Sequence, residues 1–185
     1  MISFDDGYKT VHTNLLPILY KFEKKYGRKV KVVLFINPGN LTSKNSVNSA
    51  HLGCQELREG FKKGFYDIQS HGMNHKNLAN LPRHQLVNEL LKARTELRKC
   101  TQDLDIEQTV ASHFAYPYGA YNKQVKYYVS KYYLSSYLYN DQILNYSCLK
   151  DYYKIPRLIV NRQKSTKQLI EIAQGMHPKK YQKKC

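Results

Sequence analysis

No apolar run in this sequence is long enough to cross a membrane. The longest, Val32-Val33-Leu34-Phe35-Ile36, falls far short of the roughly 20 residues a spanning helix needs. No secretory leader opens the chain either, so the sequence taken literally is expected in the cytoplasm. The cysteines, Cys54, Cys100, Cys148 and Cys185, lack CxxC spacing, which argues against a zinc ribbon or a redox motif; they are expected to be unpaired. Linker-like stretches and internal repeats are missing, and 185 residues suit one domain, read as 1–178 with a basic, disordered tail at 179–185. Acidic side chains are scarce: 14 Asp and Glu stand against 30 Lys and Arg, a formal net charge of +16. That balance suits anionic partners. Much of it, however, lies on helix faces such as Lys21-Phe22-Glu23-Lys24-Lys25 and in the tail, where dispersed lysine is normally solvated, so nucleic acid is not an expected partner. Tryptophan is absent while tyrosine is abundant. Tyr127, Tyr128, Tyr132, Tyr133, Tyr137 and Tyr139 fall at helix and strand spacings and read as partly buried core rather than a stacking platform.

What is present concentrates in two places. Ile2-Ser3-Phe4 runs into Asp5-Asp6-Gly7, and Phe65-Tyr66-Asp67-Ile68-Gln69 runs into Ser70-His71-Gly72-Met73-Asn74-His75. Imidazole nitrogen and carboxylate oxygen are ligands of catalytic zinc, which commonly takes three protein groups and leaves a position open. Residues four apart share one face of a helical turn, so His71 and His75 are expected to converge by helical geometry. A strand that breaks into a Gly turn lets Asp5 and Asp6 face one pocket, one as ligand and the other as proton acceptor. Each motif alone is ordinary, a turn or a solvated pair; both after strand-like runs are not.

Periodicity supplies the frame. Leu15, Leu16, Ile18, Leu19 and Phe22 recur at helical spacing, Gly27 supplies a stop, and Val30 to Ile36 reads as a strand. Helices are expected over Gln55 to Lys63, from near Pro82 with Leu86, Leu90, Ala93 and Leu97 on one face, and over Asn122 to Tyr133. Thr109 to Tyr116, Ser135 to Leu138 and Ile155 to Val160 read as strands, and Ser165-Thr166-Lys167-Gln168 as a capping box for a last helix. Alternation of this kind means an α/β fold with a parallel sheet or barrel, every ligand at a strand end. A first strand of three residues is short, which predicts a natural start upstream of Met1.

A third segment, His113-Phe114-Ala115-Tyr116-Pro117-Tyr118-Gly119, completes a pattern. Phe-Asp-Asp-Gly, then Ser-His-x-x-x-His, then Tyr-Pro-Tyr-Gly resembles the polysaccharide deacetylases with the NodB homology domain, carbohydrate esterase family 4, and especially the branch acting on poly-β-1,6-N-acetylglucosamine. The resemblance runs to about Val160. It implies a distorted (β/α) barrel, incomplete at its N-terminus here, with the metal at the C-terminal strand ends. It implies Asp5 as general base; Asp6, His71 and His75 as ligands of a divalent metal, Zn2+ first, with Co2+, Ni2+ or Fe2+ also accepted by such a set. Tyr118 takes the place of the backbone N–H that stabilises the oxyanion, and Tyr116, Pro117, Tyr118 and Gly119 that of a substrate-binding segment. The implied substrate is an N-acetylglucosamine-containing polysaccharide, with anionic envelope surfaces as further partners and a location outside the cytoplasmic membrane.

Departures from the pattern carry weight. Ala115 stands where many members have an Arg that holds the base, and Arg157, in Ile155-Pro156-Arg157-Leu158, is the candidate replacement. Gly72 stands where a Ser or Thr hydroxyl commonly braces the loop after the first His. The family's late acid His has one counterpart here, His177, after a segment that reads as helix rather than strand. A degenerate domain that binds metal and sugar without turnover, and a basic nucleic-acid-binding module, are the competing readings.

Overall fold

The structure is a computed structural model that describes residues 1–42, 49–143, 149–161 and 163–174. Five strands, β1 (Ser3–Asp5), β2 (Val32–Ile36), β3 (Tyr66–Ser70), β4 (His113–Ala115) and β5 (Ser135–Tyr137), form one sheet in the order β1-β2-β3-β4-β5. Every adjacent pair is parallel, so every C-terminal end points the same way. The helices α1 (Leu16–Tyr26), α2 (Cys54–Lys62), α3 (Arg83–Thr101) and α4 (Lys123–Tyr132) make the crossovers, and α5 (Thr166–Ala173) follows. The result is an α/β half-barrel.

Strand alternation sorts the core into two layers. Val32, Leu34, Ile36 and Ile68 pack towards the helices with Leu16, Leu19 and Leu57, while Val33, Phe35 and Ala115 turn to the other, concave face with Tyr137. Leu86, Leu90, Ala93 and Leu97, the stripe legible in the sequence, are all fully buried along α3. Gly60 is required where α2 crosses β3, since a Cβ there would lie 2.0 Å from the Tyr66 ring. Tyr116 and Tyr133 are core residues, whereas Tyr127 and Tyr139 are about half exposed. Gly27 ends α1 in the left-handed region at φ 65°, and the Ser165–Gln168 capping box forms at α5.

Three expectations are corrected. Cysteines are not all unpaired: Cys54 at the start of α2 and Cys100 near the end of α3 form a disulfide, their Cα atoms 5.8 Å apart. Packing of the two helices against each other brings together residues that no sequence spacing links. Ile155 to Val160 is not a strand; only Ile155 bridges Tyr137, and Pro156 cannot donate to a ladder. His71 to His75 is not a helical turn: Gly72 and His75 both sit at positive φ, 77° and 52°. Tail residues 179–185 and Cys148 lie outside the described residues. Among the described residues no helix is long and apolar enough to cross a membrane.

The disulfide closes a segment of 46 residues. Restricting the unfolded chain to that extent is worth about 2–4 kcal/mol. The Cys54→Ala/Cys100→Ala chain is therefore expected to melt roughly 5–15 °C lower, read by circular dichroism with and without reductant on the unaltered chain.

Candidate metal centre

Asp5 is the last residue of β1, and Asp6 follows in the left-handed region at φ 69°. That turn, rare for a side chain bearing a Cβ, swings the second carboxylate over the strand ends. His71 follows β3 directly, tied by its N–H to the Ile36 carbonyl at 2.9 Å. Its Nε2 lies 3.6 Å from Asp6 Oδ1, and His75 Nε2 lies 3.3 Å from the same oxygen. One ligand atom from each of Asp6, His71 and His75 falls within 4.8 Å of the others.

Several details suit a cation. Asp6 Oδ1 is buried and has no hydrogen-bond partner, a costly arrangement unless something positive completes it. His71 Nδ1 is 2.8 Å from the Ala115 carbonyl oxygen; a carbonyl only accepts, so Nδ1 carries the proton and the Nε2 lone pair faces Asp6. Burial pushes the His71 pKa below its ordinary value against the pull of Asp5, keeping the ring in the neutral form a metal requires. The residues present therefore fit a divalent ion, with Asp6, His71 and His75 as its ligands.

Asp5 is held separately. Arg157 Nη1 and Nη2 donate to its two oxygens at 2.8 and 2.7 Å in a fork, and Nη1 also reaches Ser3 Oγ at 3.2 Å. The guanidinium is itself pinned, with Nε donating to the Leu138 carbonyl at 2.9 Å and the group lying 5.1 Å over the Phe35 ring. The segment that failed to form a strand thus delivers Arg157 across the concave face. Arg157→Lys keeps the charge but loses the fork. It is expected to reduce turnover with little change in metal affinity, measured as kcat and Co2+ binding on the same preparation.

The third motif divides. Tyr118, at φ 59°, is 64 % exposed and its ring meets His75 edge-on at 4.5 Å. Gly119 is tight beneath, where a Cβ would lie 3.0 Å from the Tyr139 carbonyl oxygen. Tyr116 and Pro117 correct the substrate-binding expectation for their side chains. Both are buried, and the Tyr116 hydroxyl donates to the Tyr153 carbonyl at 3.1 Å, with burial raising its pKa. A cleft of about 590 Å³ opens beside the trio, lined by His75, Lys76, Asn77, Asn80, Leu81 and Tyr118. His177 lies outside the described residues.

Two contributors escaped the sequence reading. Asn37, just past β2, is buried and donates through Nδ2 to the carbonyls of His71 and Gly72. Glu89, also buried, accepts from Asn74. Asn37 had no local signal, but Glu89 did: it sits three residues after Leu86 and four before Ala93, a carboxylate on the apolar stripe of α3.

The residue pattern of the family described as Polysaccharide deacetylase matches residues 1–136 of this chain. The chain belongs to the polysaccharide deacetylase family. Within it, the deacetylase chain is 27% identical to a poly-beta-1,6-N-acetyl-D-glucosamine N-deacetylase of Staphylococcus aureus over 96% of its own length and 59% of that protein's. It therefore spans well under two thirds of that relative. A solved polysaccharide deacetylase from Bacillus cereus superposes with a TM-score of 0.77 at 22% identity, covering 92% of this deacetylase chain and 50% of that one. A Streptococcus pyogenes deacetylase in complex with acetate gives 0.74 at 21% identity, over 95% and 69%. These likenesses establish the half-barrel fold for this polysaccharide deacetylase family member.

Proposed function

We propose that this chain hydrolyses N-acetyl groups from N-acetylglucosamine units of a polysaccharide, releasing acetate. The observation that carries the proposal is the orphaned Asp6 Oδ1 between two imidazole nitrogens, beside a second carboxylate already gripped by Arg157. A ligating carboxylate and a base carboxylate side by side are what amide hydrolysis at a metal needs. The staphylococcal relative supports an N-acetylglucosamine polymer as substrate.

A divalent ion at Asp6, His71 and His75, Zn2+ first among those the set accepts, would lower the pKa of water there and polarise an amide carbonyl. Asp5 takes the proton from the attacking water, its orientation fixed by the Arg157 fork. The Tyr118 backbone N–H donates to the oxyanion as the acetamide carbon becomes tetrahedral; collapse then breaks the C–N bond, and the proton Asp5 took from water goes to the departing amine as acetate is released. The exposed Tyr118 ring and the adjoining cleft hold the neighbouring sugar, an aromatic face suiting its apolar C–H side. A site of action outside the cytoplasmic membrane belongs to the same proposal; the Cys54–Cys100 disulfide, of a kind that persists there, supports it, as does the net charge of +16, which favours contact with anionic envelope surfaces.

The test is acetate release from N-acetylglucosamine oligomers, linked β-1,4 and β-1,6, by the chain loaded with Zn2+ or Co2+. Metal-dependent release supports the proposal. Stoichiometric metal binding without release from any oligomer would favour a degenerate domain.

A further inference from the structure

We infer that Glu89 is a positioning residue for the metal site, holding the loop that carries His71 and His75 in its ligating shape. The inference rests on the reading of Asp6, His71 and His75 as metal ligands.

The loop has no regular structure to hold it. Residues 71–77 form no helix, and the chain passes through the left-handed region at Gly72 and again at His75. A side chain bearing a Cβ stays in that region only where its surroundings over-determine it. Gly72, moreover, has no hydroxyl with which to brace the turn from within. The restraint comes from two sides. On the β2 side, Asn37 Nδ2 donates to the Gly72 carbonyl at 3.0 Å and the Gly39 N–H donates to the Met73 carbonyl at 2.9 Å. The approach is so close that a Cβ on Gly39 would stand 2.4 Å from Asn74 Oδ1.

On the α3 side stands Glu89, 3 % exposed. Its Oε2 accepts the Asn74 backbone N–H at 2.9 Å and its Oε1 accepts Asn74 Nδ2 at 2.7 Å, with Lys76 Nζ 3.8 Å away. A carboxylate taken out of water is tolerated when its oxygens are met by such charge-assisted bonds. Both bonds go to the residue immediately before His75. Asn74 is thus fixed between Gly39 and Glu89, and the orientation of the next residue, a ligand, follows. The carboxylate acts on the metal through the loop, by its two bonds to Asn74.

Outer partners of this kind typically change metal affinity by about 10–100-fold. Glu89→Gln keeps the shape but sets an NH2 against one of the Asn74 donors. The Co2+ dissociation constant of the full chain, measured by calorimetric titration, is expected to rise by about that factor, with a weakened visible cobalt absorption. Asn74→Ala is expected to act in the same direction. Leu86→Ala, one turn earlier on the same helix face, is the control for a purely structural role: it is expected to lower the melting temperature and leave Co2+ affinity unchanged. Glu89→Gln that melts early yet binds Co2+ with unaltered affinity and spectrum would overturn the inference, as would a wild-type chain that binds no cobalt. None of these readouts needs a polysaccharide, so failure here is distinct from failure to release acetate.

Discussion

Asp6→Ala is expected to abolish acetate release and stoichiometric Zn2+ or Co2+ binding together. Asp6 supplies the one anionic member of a three-ligand set, and its Oδ1 is the atom both imidazoles approach, at 3.6 and 3.3 Å. Without it two imidazole rings remain, one exposed enough to turn to solvent, and no ligating anion offsets the charge of a dication. Fold disruption does not explain such a loss, because the substitution removes a buried oxygen that accepts no hydrogen bond. Melting temperature in the absence of metal is therefore expected to change little, the small cost of Ala at the left-handed φ of 69° standing against relief of the orphaned oxygen. A chain that loses activity but still binds one equivalent of metal tightly would place the ion elsewhere.

Asp5→Asn is expected to separate what Asp6→Ala joins. Metal binding persists and KM changes little, while kcat falls about 10²–10⁴-fold, the usual worth of a positioned acid or base. The amide cannot take a proton, and its NH2 faces a guanidinium that has only donors to offer. Arg157 is then left largely buried with half of its fork unanswered, so a lower melting temperature accompanies the kinetic loss. Steady-state kinetics on the Co2+-loaded chain, with metal content measured on the same sample, distinguishes the two carboxylates. Equal loss of metal from both variants would mean that Asp5 is a ligand rather than a base.

Motif residues were legible because their chemistry is local: two carboxylates at a strand end and two histidines at another announce a site before any fold is known. The same holds for the α3 stripe of Leu86, Leu90, Ala93 and Leu97, where period and burial agree. The shape of the histidine loop was not legible, since four-residue spacing fits a helical turn as well as the path through Gly72 and His75 at positive φ. Nor was the Cys54–Cys100 pairing, which depends on how α2 and α3 lie against one sheet. Tyr116 misled for a related reason: its place in a functional motif suggested contact with substrate, whereas its ring, one residue past β4, is buried edge-on to Phe114. Arg157 was visible only as a candidate, because a contact spanning most of the chain leaves no trace in spacing.

That contact also sets an order of events. Asp5 leaves the ribosome well ahead of the guanidinium that grips it, which follows 152 residues later. Strands β1 to β5 and their crossovers can pair as they emerge, each against its predecessor. The Asp5 carboxylate is clasped only when the segment after β5 crosses the concave face, the most non-local hydrogen-bonded closure among the described residues and so of the slow kind. A nascent chain therefore assembles the sheet before Arg157 closes on Asp5, so the scaffold precedes the setting of that carboxylate.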